Sequence, residues 1–186
     1  MKFLTAAKTE RLAVREAVRL AEERGFVPFE YGKKYAPGAK VYDINRGKAL
    51  TLAIIGKRPA SEGANIAAAH IDSPRLDLKQ VPLYEDGQMA FFKTHYYGGI
   101  KKYQWVTIPL ELHGVVIRRD GTSVDVSIGA KLGEPQFVIT DLLPHLDSTQ
   151  AKKTIAEAIP GENLNLLIGS IPDAEEGEDR AKLKVM

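Results

Sequence analysis

The chain has 186 residues, 44% of them hydrophobic and 27% charged, and its 26 Lys and Arg against 24 Asp and Glu leave a net charge of +2. This composition is that of a folded protein of one ordinary domain or two small ones, long enough to bury a core without a staple. The charge balance speaks against a protein that lives on nucleic acid or an anionic membrane. The absence of cysteine removes thiol nucleophiles, disulfides and Cys-ligated metals, so any metal must be held by His and carboxylates.

In chain order, residues 1–7 are interrupted by Lys8 and Glu10 too early for a signal peptide, and no window has the apolar length of a membrane span. The expected address is the cytoplasm. Val14, Val18 and Ala21 recur at i, i+4, i+7 beside Ala17, with Arg11, Arg15, Arg19, Glu22 and Glu23 on the other sides, which predicts an amphipathic helix ended by Gly25. Residues 26–42 are aromatic and turn-rich, broken by Pro28 and Pro37-Gly38. Two short apolar runs follow, 50–55 and 66–70. Their length suits strands covered on both faces of a sheet, although the alanines of the second also suit a helix.

From about Met89 the pattern changes. Val106, Ile108, Leu110 and Leu112 alternate with Thr107, Pro109, Glu111 and His113, which predicts a half-wet strand with Pro109 at an edge or bulge. Asp120-Gly121 marks a hairpin turn, and Val124, Val126 and Ile128 alternate on the return. An α/β beginning is thus followed by an antiparallel β unit, with a boundary near 86–95. The acidic run 173–180 reads as a solvated loop. One helix and about two strands are too few to close a sheet covered on both faces, so the chain reads as the front portion of something larger.

The chemistry concentrates in Ala69-His70-Ile71-Asp72-Ser73-Pro74-Arg75-Leu76-Asp77. In an extended segment His70 and Asp72 share a face, here at the end of the second apolar run, and ligands of open α/β sheets collect beyond strand ends. A metal-binding imidazole commonly gives its other N–H to a carboxylate, and His-x-Asp supplies both parts. The same triplet also arises around a purely structural histidine. Of the other histidines, His95 reads as structural and His113 as solvated on a polar strand face. Tyr97-Gly98-Gly99-Ile100 lacks the Lys-Ser/Thr of a phosphate loop, and Lys101-Lys102-Tyr103 with Trp105 is too ordinary a cluster for nucleic acid.

The stretch 68–79 with Pro82-Leu83-Tyr84-Glu85, the stretch 93–105, Thr140-Asp141-Leu142-Leu143-Pro144-His145-Leu146, the opening helix and 41–47 together resemble the aspartyl aminopeptidase-like (aminopeptidase I) family of zinc peptidases over essentially the whole chain. The resemblance implies an α/β fold, the N-terminal part of an α/β/α catalytic domain at 1–90, and a β-rich insertion (dimerisation) domain at 91–186, incomplete at its C-terminal end. It implies a site of two zinc ions with His70 as a ligand and Asp72 as the carboxylate that orients it. It also implies that a neighbouring subunit's insertion contributes a His to the substrate or its oxyanion; His145 is the candidate, with a loop histidine packed beside Pro144 as the other reading. The family's remaining ligands and its general base fall after the insertion, at positions this sequence lacks, and one His cannot hold two ions. The expected function is therefore that of the N-terminal part of a zinc aminopeptidase acting on peptides, a homo-oligomer through the insertion, with this chain alone inert. The alternative is a non-catalytic oligomerisation module descended from such an enzyme. The segment 96–105 looks more like the broader prokaryotic branch of the family than its acidic-residue specialists.

Overall fold

Thr9 sets the first long element. Its hydroxyl accepts the Leu12 N–H at 3.3 Å and caps a helix with Glu10 in its first turn. In the computed structural model, which describes residues 2–171, this helix is α2 (Glu10–Glu22), preceded by a short α1 (Lys2–Ala6). Ala13, Val14 and Ala21 of α2 are buried, and Gly25 adopts φ 80° just past its end, as the periodicity predicts. The helix packs on a three-stranded sheet in which β1 (Val27–Pro28) runs parallel to β2 (Lys40–Asn45) and β2 antiparallel to β3 (Ala49–Ile54). The Tyr42 hydroxyl donates to Glu22 Oε1 at 2.7 Å and ties sheet to helix. That carboxylate favours the protonated phenol and holds Tyr42 above its ordinary pKa, with desolvation acting in the same direction.

The expectation for 50–55 is half met. The run is a strand, but β2 is its ladder partner, and Leu52 and Ile54 are exposed instead of covered. The second run, 66–70, is not a strand. From Gly63 to Pro74 the chain has no regular structure, and Ile66 is 86% exposed. An apolar run becomes a strand only when a neighbour supplies its ladder and covers its faces, and nothing among the described residues does so.

The chain divides into two compact units between Ser73 and Pro74. The second is built on β4 (Arg75–Asp86) and β5 (Met89–Tyr97), which lie together in a sheet of order β4-β5-β9-β8 with β8 (Val138–Ile139) and β9 (Leu166–Gly169), all antiparallel. The 90/91 division expected from the sequence falls within β5. Gly87 and Gln88 both take positive φ (55° and 63°), the geometry of a tight turn whose twist matches the strands it joins. Between Leu78 and Leu83 the register shifts, and the bulge leaves Val81 81% exposed.

The core of this unit is Ile139, Ile159, Leu164 and Leu166, with Leu76, Phe92, Trp105, Val106 and Leu110 packed against it. Thr94, also buried, donates its hydroxyl to the Leu164 carbonyl, while its N–H reaches Asn165 Oδ1 at 3.3 Å. A Cβ at Gly161 would lie 2.7 Å from the Tyr96 ring, so only glycine permits this approach.

The strand expected over 106–112 does not form. A short α3 (Lys102–Trp105) ends there, Thr107 N–H bonds the Gln104 carbonyl, and Pro109 has no N–H to donate. Val106 and Leu110 turn into the core, Leu110 bridges Phe137, and β6 (Leu112–Ile117) begins only at Leu112. The predicted hairpin is present: β6 pairs with β7 (Ser123–Ile128) around Gly121, φ 83°. Val124, Val126 and Ile128 are half-buried while their neighbours are exposed, as alternation requires. A four-residue α4 (Ile155–Ala158) leads back to β9. The acidic run 173–180 lies outside the described residues. Among the described residues no helix is long and apolar enough to cross a membrane.

Candidate metal centre

His70 lies in the irregular exposed segment, not at a strand end, yet the sequence still brings it against Asp72. Its Nδ1 is 3.2 Å from Asp72 Oδ1 and 3.2 Å from the Asp72 backbone carbonyl. Both oxygens can only accept, so Nδ1 carries the proton and the lone pair sits on Nε2. The imidazole is 85% exposed and the carboxylate 43%. A ring with Nδ1–H held by a carboxylate and Nε2 facing solvent has the donor chemistry of one zinc ligand with its orienting partner. It is one arm only: among the described residues no three His, Asp or Glu side chains converge as a metal requires.

The structure gives the other histidines distinct settings. His145 sits in a turn within an exposed loop, belongs to the second unit, and is flanked by exposed Leu142 (52%), Leu143 (58%) and Leu146 (61%). His95 is opposite Asp77 in the β4–β5 ladder, its ring stacked on Tyr96 at 5.5 Å. His113 departs from expectation. Its side chain is 12% exposed rather than solvated, Nε2 donates to Glu111 Oε2 at 2.8 Å, and Nδ1 is buried without a hydrogen bond. The nearby Glu111 makes the polar strand face drier than alternation alone indicates.

Two polar arrangements escape the sequence reading. At the start of β4, Arg75 Nε donates to Asp77 Oδ1 at 2.7 Å, and its guanidinium lies 4.1 Å from the centre of the Tyr97 ring, its cross-strand partner. The i, i+2 spacing of Arg75 and Asp77 is a signal for this, once the strand is recognised. In the His145 loop, Asp141 Oδ1 accepts from the Leu142 N–H at 2.8 Å and from Gln150 Nε2 at 2.9 Å. Asp141 and Gln150 also line a cleft of about 270 Å³ with Tyr84, Phe91 and Asn165. A carboxylate and an amide nine residues apart in a loop leave no periodic trace.

Comparison with known proteins places these residues in a wider frame. Residues 3–186 match the family described as aminopeptidase I zinc metalloprotease (M18). A probable M18 family aminopeptidase 1 of Clostridium acetobutylicum is 50% identical over 186 residues, covering 98% of this chain and 40% of that protein. Its counterpart in Thermotoga maritima is also 50% identical, covering 100% of this chain and 41% of that protein. A crystal structure of an M18 aminopeptidase from Thermotoga maritima superposes with a TM-score of 0.85 at 49% identity, covering 97% of this chain and 39% of that one. The chain thus spans about two fifths of the length of the relatives it matches.

Proposed function

The chain belongs to the aminopeptidase I zinc metalloprotease family (M18), and from that premise we propose that it forms part of a zinc-dependent aminopeptidase that removes N-terminal residues from peptides. The His70–Asp72 contact carries this reading, because it supplies one metal-ligand arm in the tautomer a metal needs. Asp72 keeps the proton on Nδ1 and restrains ring rotation, so His70 presents Nε2 in one direction. Zinc, when bound, supplies Lewis-acid polarisation of a peptide carbonyl and activation of water. Two ions per site, as the resemblance implies, require further ligands and a general base beyond the residues described here.

In the same reading, residues 1–90 contribute to the catalytic domain and 91–186 to the β-rich insertion. The insertion mediates a homo-oligomer in the cytoplasm, and His145 is offered to a neighbouring subunit's site. There its N–H would face the oxygen on which charge develops as the scissile carbonyl is attacked. The three exposed leucines around His145 support a contact surface rather than a solvated loop.

The test is the polypeptide from the complete reading frame that contains these residues, assayed on aminoacyl-anilides. Cleavage abolished by a chelator and by His70→Ala is expected. Chelator-insensitive cleavage, or none despite bound zinc, would overturn the assignment in favour of a non-catalytic module.

A further inference from the structure

We infer that Asp141 and Gln150 are positioning residues for His145: their side-chain hydrogen bond closes the loop that carries it. The loop leaves the core just after β8, where Ile139 is 4% exposed, and returns through a 3-10 turn, Gln150–Lys152, toward the buried Ile159. Between these feet the leucines hold it weakly, since Leu142, Leu143 and Leu146 are all more than half exposed. Among the described residues no strand pairs with it, and its own backbone bonds are local: Leu146 N–H to Leu143 O and Ala151 N–H to Asp147 O, both 2.8 Å.

The Asp141–Gln150 bond at 2.9 Å is the side-chain link that joins one foot to the other, and the same Asp141 oxygen also holds the Leu142 N–H. A compact surface loop with its ends held together presents its tip in one orientation. Here the tip is the Pro144–His145–Leu146 turn, and Pro144 restricts the backbone on its leading side. A donor aimed at developing charge is useful only when preorganised, which gives the clasp a purpose beyond folding. This inference rests on the proposed role of His145.

The experiment is backbone relaxation NMR of the 186-residue chain. In the unsubstituted chain, residues 142–149 should show order parameters near the rigid value of about 0.85. In Gln150→Ala they should fall below about 0.6, with the melting midpoint unchanged. Asp141→Ala, which removes the acceptor, should loosen the same residues. Gln150→Lys, whose ammonium can donate to Asp141, should restore order. In the peptidase assay Gln150→Ala should lower kcat about tenfold with little change in KM, and Gln150→Lys should recover it. A loop that stays rigid in Gln150→Ala, one that is already mobile without substitution, or a Gln150→Lys variant no better than Gln150→Ala would overturn the clasp. If instead His145→Ala leaves kcat unchanged while Gln150→Ala still loosens the loop, the substrate role of His145 fails and the clasp stands.

Discussion

The exposed segment 63–74 and the core around β5 and β9 are opposites. The first carries His70 and Asp72, the pair proposed to serve a metal, and has no backbone ladder, and its Ile66 is 86% exposed. The second holds Leu164 at 0% exposure and Thr94 at 2%, and among the described residues it gathers no three side chains that could hold a metal. Among the described residues, the proposed ligand pair and the best-buried side chains lie in different stretches of sequence. A ligand pair two residues apart makes its contact locally, whereas the rigidity that a catalytic metal site needs must come from elsewhere.

Substitutions that break this contrast should rank by burial. Leu164→Ala empties a fully buried site and should cost roughly 2–5 kcal/mol in urea unfolding of the chain. Gly161→Ala forces a methyl against the Tyr96 ring and should cost roughly 1–3 kcal/mol by the same measurement.

Tyr42→Phe removes the bond to Glu22 and should cost about 1 kcal/mol. Tyr42 adds a pH signature. Its folded-state pKa is raised above the ordinary 10.0, so its contribution is complete below about pH 10 and disappears as pH rises through the folded value. In Tyr42→Phe that alkaline loss should be absent from the stability profile.

Glu162→Gln should have a much smaller effect. Lys79, 2.8 Å away, is the main cause of a lowered Glu162 pKa. The small stabilisation is present above the ordinary carboxylate range and is lost as pH falls through the depressed value. Because the carboxylate is solvated, high salt should make variant and parent unfold at the same midpoint.

What the sequence discloses follows the same divide. Helix α2 is legible because its buried stripe is local, and the β6–β7 hairpin because Asp120-Gly121 and the alternation around it are local. The β4–β5 pair goes unread: Asp86-Gly87 could have signalled its turn, but the change of character near Met89 draws attention to a domain boundary instead. The run 66–70 misleads because its alanines suit strand or helix equally and its conformation depends on neighbours. The alternation of 106–112 misleads because Pro109 forbids the ladder and the core beneath takes Val106 and Leu110. The His70–Asp72 contact is recoverable from spacing, while its proposed metal role rests on the family resemblance. The Asp141–Gln150 bond is not recoverable, since it depends on how a loop closes.

The central claim is the proposal that His70, oriented by Asp72, is a metal ligand carried on an exposed segment without regular structure. Titrating cobalt(II), a paramagnetic substitute for zinc, into the 186-residue chain and following the histidine ring signals by NMR tests it directly. The account predicts that the His70 ring signal broadens before those of His95, His113 and His145, that Asp72→Asn weakens the response, and that His70→Ala removes it without moving the unfolding midpoint. Broadening that leaves His70 untouched, or that survives His70→Ala unchanged, would contradict it.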